Sequence, residues 1–370
     1  MYLCLYSNFG KQILNQEMKL KLFVYITGLI TLYNCSSKPS ITALCEMDKK
    51  GNYILKWEIY PEIENTPLDI YISDNDSIFP SEPSMTTNSN EYIAIVKNNG
   101  SEYPEKRKYF RLKVAGTVSE PISNRFFEMD SIQNFRDIGG YMTNDHRCIR
   151  WGKLFRSGSF LRMTDYDSSE ISNLGVKTII DLRSTDIKEK KQSKVSELNN
   201  IRIPISIKGY SSISQKVIDG QFLRGDAIIY TQDTYKDIVN NFASGYAAFF
   251  DYLCDENNYP IIFNCFLGKD QSGLATYFLM RALDVPMDVI EDDYMNSSIG
   301  IDRSKLIKDA DSLSESRQEA LTMLTKTDLA YLKYGISCMR EKSGSVEDYM
   351  LKELKLTPDK RKKLRDILLH

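Results

Sequence analysis

One short segment constrains this 370-residue chain more than any other. Residues 260–263 (PIIF) read as a buried strand, and a helical pattern starts at Ser272. Cys265 and Gly268 lie in the loop between them. A strand, a loop with glycine and a helix start form a cradle for anions, because loop amides point inward and the helix dipole favours negative charge. The segment therefore predicts an anion site with a cysteine at its mouth.

The position of Cys265 gives its thiol a chemical role. Helix amino termini and cations stabilise a thiolate, and a thiolate can attack phosphorus to form a covalent phosphocysteine. Taken alone, a cysteine is more often a small buried apolar residue. With these flanking residues we interpret Cys265 as a nucleophile.

The chain around this loop has the texture of an α/β domain. Residues 176–182 and 201–205 read as strands, and apolar residues recur at helical spacing between 234 and 254. Strands that alternate with helices predict a largely parallel sheet whose sites lie at the carboxyl ends of the strands. We therefore predict an α/β domain over residues 130–370.

The preceding segment, residues 38–125, is different. Residues 53–59, 69–72, 92–96 and 109–114 alternate apolar and polar side chains, with turn-rich sequence between them. This pattern predicts a small all-β sandwich with Trp57 in its core. It resembles a fibronectin type III or immunoglobulin-like module, and we expect it to fold independently as a spacer or docking module without a part in the chemistry.

The loop also resembles a known signature. Residues 264–273 (NCFLGKDQSG) are similar to the pattern His-Cys-x-x-Gly-Lys-Asp-Arg-[Thr/Ser]-Gly of bacterial tyrosine phosphatases, some of which also take phosphoinositides. Further blocks of the same family follow in order across residues 130–370. They are residues 134–141 (NFRDIGGY), 150–158 (RWGKLFRSG), 178–184 (TIIDLRS) and 344–349 (GSVEDY).

The resemblance implies a protein-tyrosine-phosphatase-like fold and a set of site residues. Cys265 would be the nucleophile, Asp181 the general acid, and Asp270 a loop residue with a catalytic role. The phosphate would be held by loop residues Phe266, Leu267, Gly268, Lys269, Gln271 and Ser272.

Asp181 and two arginines keep alternative roles. Asp181 equally suits a strand-end cap paired with Arg183. Arg136 and Arg156 could lie near the pocket, although structural ion pairing is the interpretation that we favour.

Two residues depart from the family pattern. Asn264 replaces the histidine before the cysteine, and asparagine brings no titratable charge. Gln271 replaces the arginine that clamps phosphoryl oxygens with a planar, permanently charged fork. We therefore expect weak or redirected activity unless Lys269, Arg136 or Arg156 supplies the missing charge.

The amino terminus reads as an export signal. A basic stretch at residues 18–21 precedes an apolar run at residues 22–33, which is too short for an ordinary membrane span. Cys35 follows, as in bacterial lipoproteins, so residues 1–37 are predicted to be a leader and Cys35 the lipidated residue. We expect an exported protein, anchored to a bacterial membrane and facing the periplasm; the alternative is a buried helix.

Composition excludes several other functions. The formal net charge is −2, which gives no basic field for nucleic acid. The seven cysteines form no CxxC pair and there are only two histidines, so we predict no metal and no cofactor.

The leading hypothesis is a phosphoric monoester hydrolase. The alternatives are a pseudophosphatase that binds a phosphorylated or anionic ligand, and a structural or interaction lipoprotein. The sequence leaves the substrate open among a phosphorylated protein, a phosphoinositide and a small phosphate ester.

Overall fold

The computed structural model describes residues 38–98, 106–184, 198–207, 209–307 and 309–370. The predicted leader and the lipidation residue Cys35 lie outside these ranges. Residues 40–370 form one compact unit. Within the described ranges, none of the helices has the length and apolar character that crossing a bilayer requires.

The strands of the first part form two antiparallel sheets, with orders β1-β2-β5 and β4-β3-β6-β7. Their bounds are β1 Ser40–Met47, β2 Tyr53–Tyr60, β3 Pro67–Ser73, β4 Met85–Asn88, β5 Ile93–Val96, β6 Tyr109–Val114 and β7 Thr117–Val118. The alternation places Leu55, Trp57, Phe110 and Leu112 in a shared apolar core, which confirms Trp57 as a core residue. The resemblance to a fibronectin or immunoglobulin module stays a prediction.

The second part is built on a five-stranded sheet with the order β11-β10-β12-β9-β8. Its strands are β8 Arg136–Asp137, β9 Leu154–Ser157, β10 Thr178–Asp181, β11 Asn199–Arg202 and β12 Ile261–Asn264. The first four strands in that order are parallel, and β8 runs antiparallel to β9 at the edge. The mixed α/β class that the sequence predicts is therefore present.

Helices pack on this sheet, which is apolar on both faces. Ile180 and Phe263 face one core, whereas Ile179 and Ile262 face the other, as the two-residue period of a strand requires. The helices in the described ranges are α1 Asp165–Asn173, α2 Tyr210–Ile218, α3 Arg224–Asn241, α4 Ala243–Leu253, α5 Gln271–Ala282, α6 Met287–Asn296, α7 Glu315–Thr325, α8 Leu329–Ser343, α9 Val346–Lys352 and α10 Pro358–Leu368.

The chain between the two parts is itself paired with both. Ile122 pairs with Phe110 of β6, and Asn124 pairs with Cys45 of β1. Two residues later, Phe126 pairs with Arg136 of β8. Residues 122–127, which we call the shared segment, therefore hydrogen-bond to both β structures where the sequence predicts a boundary.

Candidate active site

A six-residue loop joins the end of β12 to the start of α5. It runs from Cys265 to Asp270, and the amide of Leu274 donates to the carbonyl of Asp270 at the first helical turn. Gly268 has a φ of 68°, and a Cβ there would lie 2.6 Å from the carbonyl carbon of Ser157. Glycine is required at that position because both the conformation and the close backbone contact exclude a side chain.

The carbonyls of residues 266–269 point outward, where the surrounding scaffold binds them. Phe266 accepts from the amide of Ser159 at 2.9 Å. Nδ2 of Asn134 donates to the next two carbonyls at 3.1 and 2.9 Å. Nη2 of Arg156 donates to the carbonyl of Gly268 at 2.8 Å. The peptide units of the loop are thus turned with their N–H groups toward its interior.

From Leu267 onward, these N–H groups are unpaired in the part of the chain that the structure describes. Within the described ranges, no carbonyl or side chain accepts a hydrogen bond from the amides of residues 267–273. Three of these amides belong to the first turn of α5, where a helix always leaves its N–H groups unpaired. Unpaired donors at a helix amino terminus bind anions, so the loop has the polarity of the predicted cradle.

Cys265 lies in this cradle and is 1% exposed. Its Sγ is 3.2 Å from Oγ of Ser272, the second residue of α5. The hydroxyl can donate to a thiolate at that position, so the structure brings these two predicted site residues together.

Arg136 and Arg156 lie beneath the loop, and both bind Asp293 of α6. Nε of Arg136 is 3.1 Å from one carboxylate oxygen, and Nη1 of Arg156 is 2.7 Å from the other. Burial would raise the pKa of Asp293, but the two guanidinium groups hold it well below its usual range. The geometry confirms structural ion pairing for both arginines, and Nε of Arg156 is buried without a hydrogen-bond partner in the described ranges.

Asp293 is a residue that sequence reasoning missed. The one available signal was the pair of arginines in apolar strands, since buried cations require a counter-charge. Burial and the neighbouring Arg136 lower the pKa of Arg156 to about 10, while Asp293 and Cys265 act in the opposite direction. Arg156 therefore keeps its charge at neutral pH directly below the loop.

Lys269 is directed away from the cradle. Its Nζ donates to the carbonyl of Leu324 at 2.8 Å and lies 3.4 Å from that of Lys326, at the carboxyl end of α7. A cation is stabilised there by the helix dipole. The ammonium links α7 to the loop, and it does not face the position of a bound phosphate.

Gln271 is also engaged elsewhere. Its Nε2 donates to the carbonyl of Ile205 at 3.2 Å, and its side chain is buried. Its own carbonyl accepts from the hydroxyl of Tyr246 at 2.9 Å. The neighbouring departure from the family pattern, Asn264, is fully buried, and neither polar atom of its side chain has a partner in the described part of the protein.

Asp181 forms a two-pronged ion pair with Arg183, the alternative that the sequence left open. Nε and Nη2 of Arg183 each lie 2.8 Å from a different oxygen of Asp181. The third nitrogen, Nη1, donates to Oγ of Ser159 at 2.8 Å. Because the amide of Ser159 binds the carbonyl of Phe266, this ion pair lies beside the loop.

Asp270 faces a small cavity next to the loop. Its Oδ1 is buried, has no hydrogen bond to any described residue, and lies 3.4 Å from Nζ of Lys269. The cavity has a volume of about 40 Å³, room for about one water molecule. The apolar side chains that line it are Ile207, Ile213, Val217, Phe266, Leu267, Leu306, Ile307, Leu321 and Leu324.

The described residues also show how the metal prediction stands. Among them, no three His, Cys, Asp or Glu side chains come together as ion ligands would. The prediction of a site without metal or cofactor stays a prediction.

Comparison with known proteins supports the interpretation of the carboxyl-terminal part. The sequence profile described as "Tyrosine phosphatase family" matches residues 127–370, about two thirds of the chain. A candidate tyrosine-protein phosphatase of Cupriavidus necator is 25% identical over 173 residues, which is 46% of this chain and 62% of that protein. The triple specificity protein phosphatase PtpB of Mycobacterium tuberculosis is 22% identical over 193 residues, 46% of this chain and 68% of that protein. The chain thus spans less than two thirds of the Cupriavidus protein.

Solved structures give weaker matches. The match to the Siw14 catalytic core spans 56% of this chain and 91% of that structure, with a TM-score of 0.29 and 10% identity. The core domain of the PP-IP phosphatase Siw14 of Saccharomyces cerevisiae with citrate covers 52% and 88%, with a TM-score of 0.26 and 13% identity.

Proposed function

The chain belongs to the tyrosine phosphatase family, and from that premise we propose that it hydrolyses phosphoric monoesters through Cys265. One observation carries the proposal. The thiol lies at the mouth of a loop whose amides, from residue 267 to residue 273, have no acceptor within the described ranges. Such a group of donors binds the three non-bridging oxygens of a phosphate and leaves the phosphorus facing the sulfur.

The reaction would proceed in two displacements. The Cys265 thiolate attacks phosphorus, the S–P bond forms and the P–O bond to the alcohol breaks, with a proton delivered to the leaving oxygen. Water then attacks the phosphocysteine and gives a proton back to the group that protonated the leaving oxygen, the S–P bond breaks with its electron pair returning to sulfur, and phosphate leaves. Ser272 donates a hydrogen bond to the sulfur each time that it becomes a thiolate.

For the proton donor, the geometry favours Asp270 over Asp181. Both oxygens of Asp181 accept hydrogen bonds from the guanidinium of Arg183, so neither oxygen is directed at the loop. Oδ1 of Asp270 has no hydrogen bond within the described ranges, although Nζ of Lys269 lies 3.4 Å away, and the residue lines the cavity beside the loop. We therefore assign the general acid to Asp270 and a structural ion pair to Asp181.

The proposed activity is slow. Arginines that stabilise phosphoryl transfer contribute about 10³–10⁵ in rate in other enzymes, and position 271 lacks one. Lys269, Arg156 and Arg183 are bound to carbonyls or carboxylates. Of the three, Arg183 is the cation that could turn from Asp181 toward a phosphate, because it lies beside the loop.

A second function, binding without turnover, is favoured by Gln271 and Asn264. The side-chain amide of Gln271 donates to Ile205, and that of Asn264 is buried without a partner among the described residues. The loop therefore lacks the arginine and the histidine of the family pattern. Incubation with an aryl phosphate, followed by acid quench, separates the two functions. The hydrolase predicts a phosphoenzyme on wild type and none on Cys265→Ser, whereas a binding protein retains phosphate without a covalent adduct.

Substrate and location remain proposals. A phosphorylated protein, a phosphoinositide and a small phosphate ester are all compatible with the loop, and a screen of the three classes would rank them. We propose that residues 1–37 direct export and that Cys35 carries a lipid anchor facing the periplasm. Metabolic labelling with a fatty acid should mark the wild type and be lost in Cys35→Ala; equal labelling of both would refute the anchor.

A further inference from the structure

A buried ion pair joins the amino-terminal β structure to the catalytic sheet. Arg107, just before β6, binds the carboxylate of Asp137 in β8, and both side chains are almost fully buried. Its other nitrogens are also committed, since Nε donates to Oγ of Ser123 at 2.8 Å and Nη2 to the carbonyl of Asn124 at 2.5 Å. A buried charge with every nitrogen bonded is fixed in one position.

Aromatic rings surround the same guanidinium. Its central carbon lies 5.2 Å from the ring centres of Tyr109, Phe127 and Trp151, which come from both parts of the chain. Trp151 also donates from Nε1 to the carbonyl of Pro121 at 2.8 Å. The contact excludes water and is a packed interface, unlike the exposed linker that a spacer module would have.

Asp137 in turn fixes the edge of the catalytic sheet. Its two oxygens accept from the amides of Gly139 and Gly152, each at 2.7 Å. The shared segment pairs with the open side of β8, where the amide of Asp137 donates to the carbonyl of Arg125 at 2.9 Å. Two contacts therefore hold strand β8: the side chain of Arg107 binds Asp137, and the backbone of the shared segment pairs with the strand.

From β8 the contacts continue to the phosphate loop. Arg136 alternates with Asp137, so its side chain points to the other face of the strand, where it binds Asp293 and Oδ1 of Asn134. Asn134 donates to the loop carbonyls of Leu267 and Gly268. Only two residues lie in the sequence between Asn134, which orients the loop, and Asp137, which Arg107 binds.

We infer that the amino-terminal β structure is a fixed support of the phosphate loop, and that Arg107 is a positioning residue for it. This rests on the proposed function only in that the loop binds an oxyanion. Arg107 holds Asp137, β8 carries that constraint to Asn134, and Asn134 keeps the loop carbonyls turned out and the amides turned in.

The test replaces Arg107 in the full chain and measures the loop directly. Arg107→Met keeps the aliphatic length and removes the charge. The matched control is Lys108→Met, which removes the neighbouring cation from a partly exposed pair with Asp74. Tungstate binding is measured by calorimetry, and hydrogen exchange of residues 267–273 by mass spectrometry, at a temperature where circular dichroism shows each variant folded.

We expect Arg107→Met to weaken tungstate binding at least about 10-fold and to speed loop exchange, while Lys108→Met stays within about 2-fold of wild type. Arg107→Met/Asp137→Asn also removes the buried carboxylate that would otherwise be left without its counter-charge. That double variant should recover thermal stability but not tungstate affinity, which separates positioning from stability alone.

A folded Arg107→Met or double variant with wild-type tungstate affinity and loop exchange would overturn the inference. Loss of tungstate affinity in a folded double variant would support it, because a spacer predicts no change in the loop. If wild type binds no tungstate, the proposed function fails, but loop exchange still reports whether Arg107 supports the loop.

Discussion

The replacement Gln271→Arg would return a fixed positive charge to the position where the loop carries a neutral amide. In the structure that amide donates to the carbonyl of Ile205 at 3.2 Å, a bond worth about 1 kcal/mol. To reach a phosphate, the arginine side chain must point away from Ile205 and give up this bond. It can then bind two phosphoryl oxygens at once and hold the charge that develops in transfer.

The size of the effect follows from three terms. Catalytic arginines contribute about 10³–10⁵ in rate, or roughly 4–7 kcal/mol. The lost bond to Ile205 subtracts about 1 kcal/mol, and burial of a cation at a site that is 3% exposed subtracts several more. These terms leave a few kcal/mol at most, so we expect a net gain on the order of 10-fold in kcat/KM on an aryl phosphate, mainly in kcat.

Burial of the new cation also predicts a change in thermal stability, which is measured independently of the rate. Without an anion, the new cation has no partner in the loop, so Gln271→Arg should melt at a lower temperature than wild type. Tungstate should raise its Tm more than it raises that of the wild type, because bound anion stabilises only the folded state. Differential scanning fluorimetry with and without tungstate measures both shifts.

Two controls separate charge from geometry. Gln271→Met keeps the side-chain length and loses the bond to Ile205, so it should not raise the rate. Gln271→Lys restores charge without the planar fork and should gain less than arginine. Adding Asn264→His to Gln271→Arg replaces a buried amide without partners, and the double variant should be at least as active.

A folded Gln271→Arg protein that binds tungstate without a rate gain would refute the reasoning about the clamp. A fast wild type that arginine slows would show that another cation has the role, with Arg183 the first to replace. Inert proteins that still bind tungstate would favour the binding function.

Three further predictions follow from the same structure. Cys265→Ser should abolish turnover of an aryl phosphate; undiminished turnover would place the activity elsewhere. Asp270→Asn should lower kcat by about 10²-fold or more, whereas Asp181→Asn should cost less than about 10-fold, and the reverse order would exchange their roles. Burial, with Asp167 nearby, raises the pKa of Glu170 to about 7. Glu170 holds its proton more tightly in the folded protein than in the unfolded chain. Its contribution to the free energy of unfolding is therefore full below about pH 4.5 and is lost as pH rises through 7. Glu170→Gln should reduce the fall of Tm between pH 4.5 and 8, because it removes a pH-dependent contribution on the order of 1–2 kcal/mol to the free energy of unfolding. An unchanged dependence of Tm on pH would contradict this assignment.

Sequence predicted the elements whose signals are local. Alternation in residues 53–59 and 109–114 gave strands with Trp57 inside, and the strand–Cys265–Gly268–helix order gave the loop. These predictions succeeded because each depends on spacing of a few residues.

The contacts made across the fold were not predictable in the same way. Three contacts join residues that are 30 to 137 positions apart in the chain: Lys269 with the end of α7, Arg156 with Asp293, and Arg107 with Asp137. Charge alone does not choose among many possible partners; the topology does. The Asp181–Arg183 pair was foreseeable as an alternative because opposite charges two positions apart in an extended chain lie on the same face.

The shared segment gives the protein an uncommon evolutionary constraint. In a strand, an inserted or deleted residue reverses which side chains face each side. Because residues 122–127 pair with β1, β6 and β8, a single-residue change of length there would misalign one partner whenever it suited the other. The amino-terminal part is thus ill suited to exchange as an interchangeable cassette, and we expect lineages to vary its exposed loops while this stretch keeps its length.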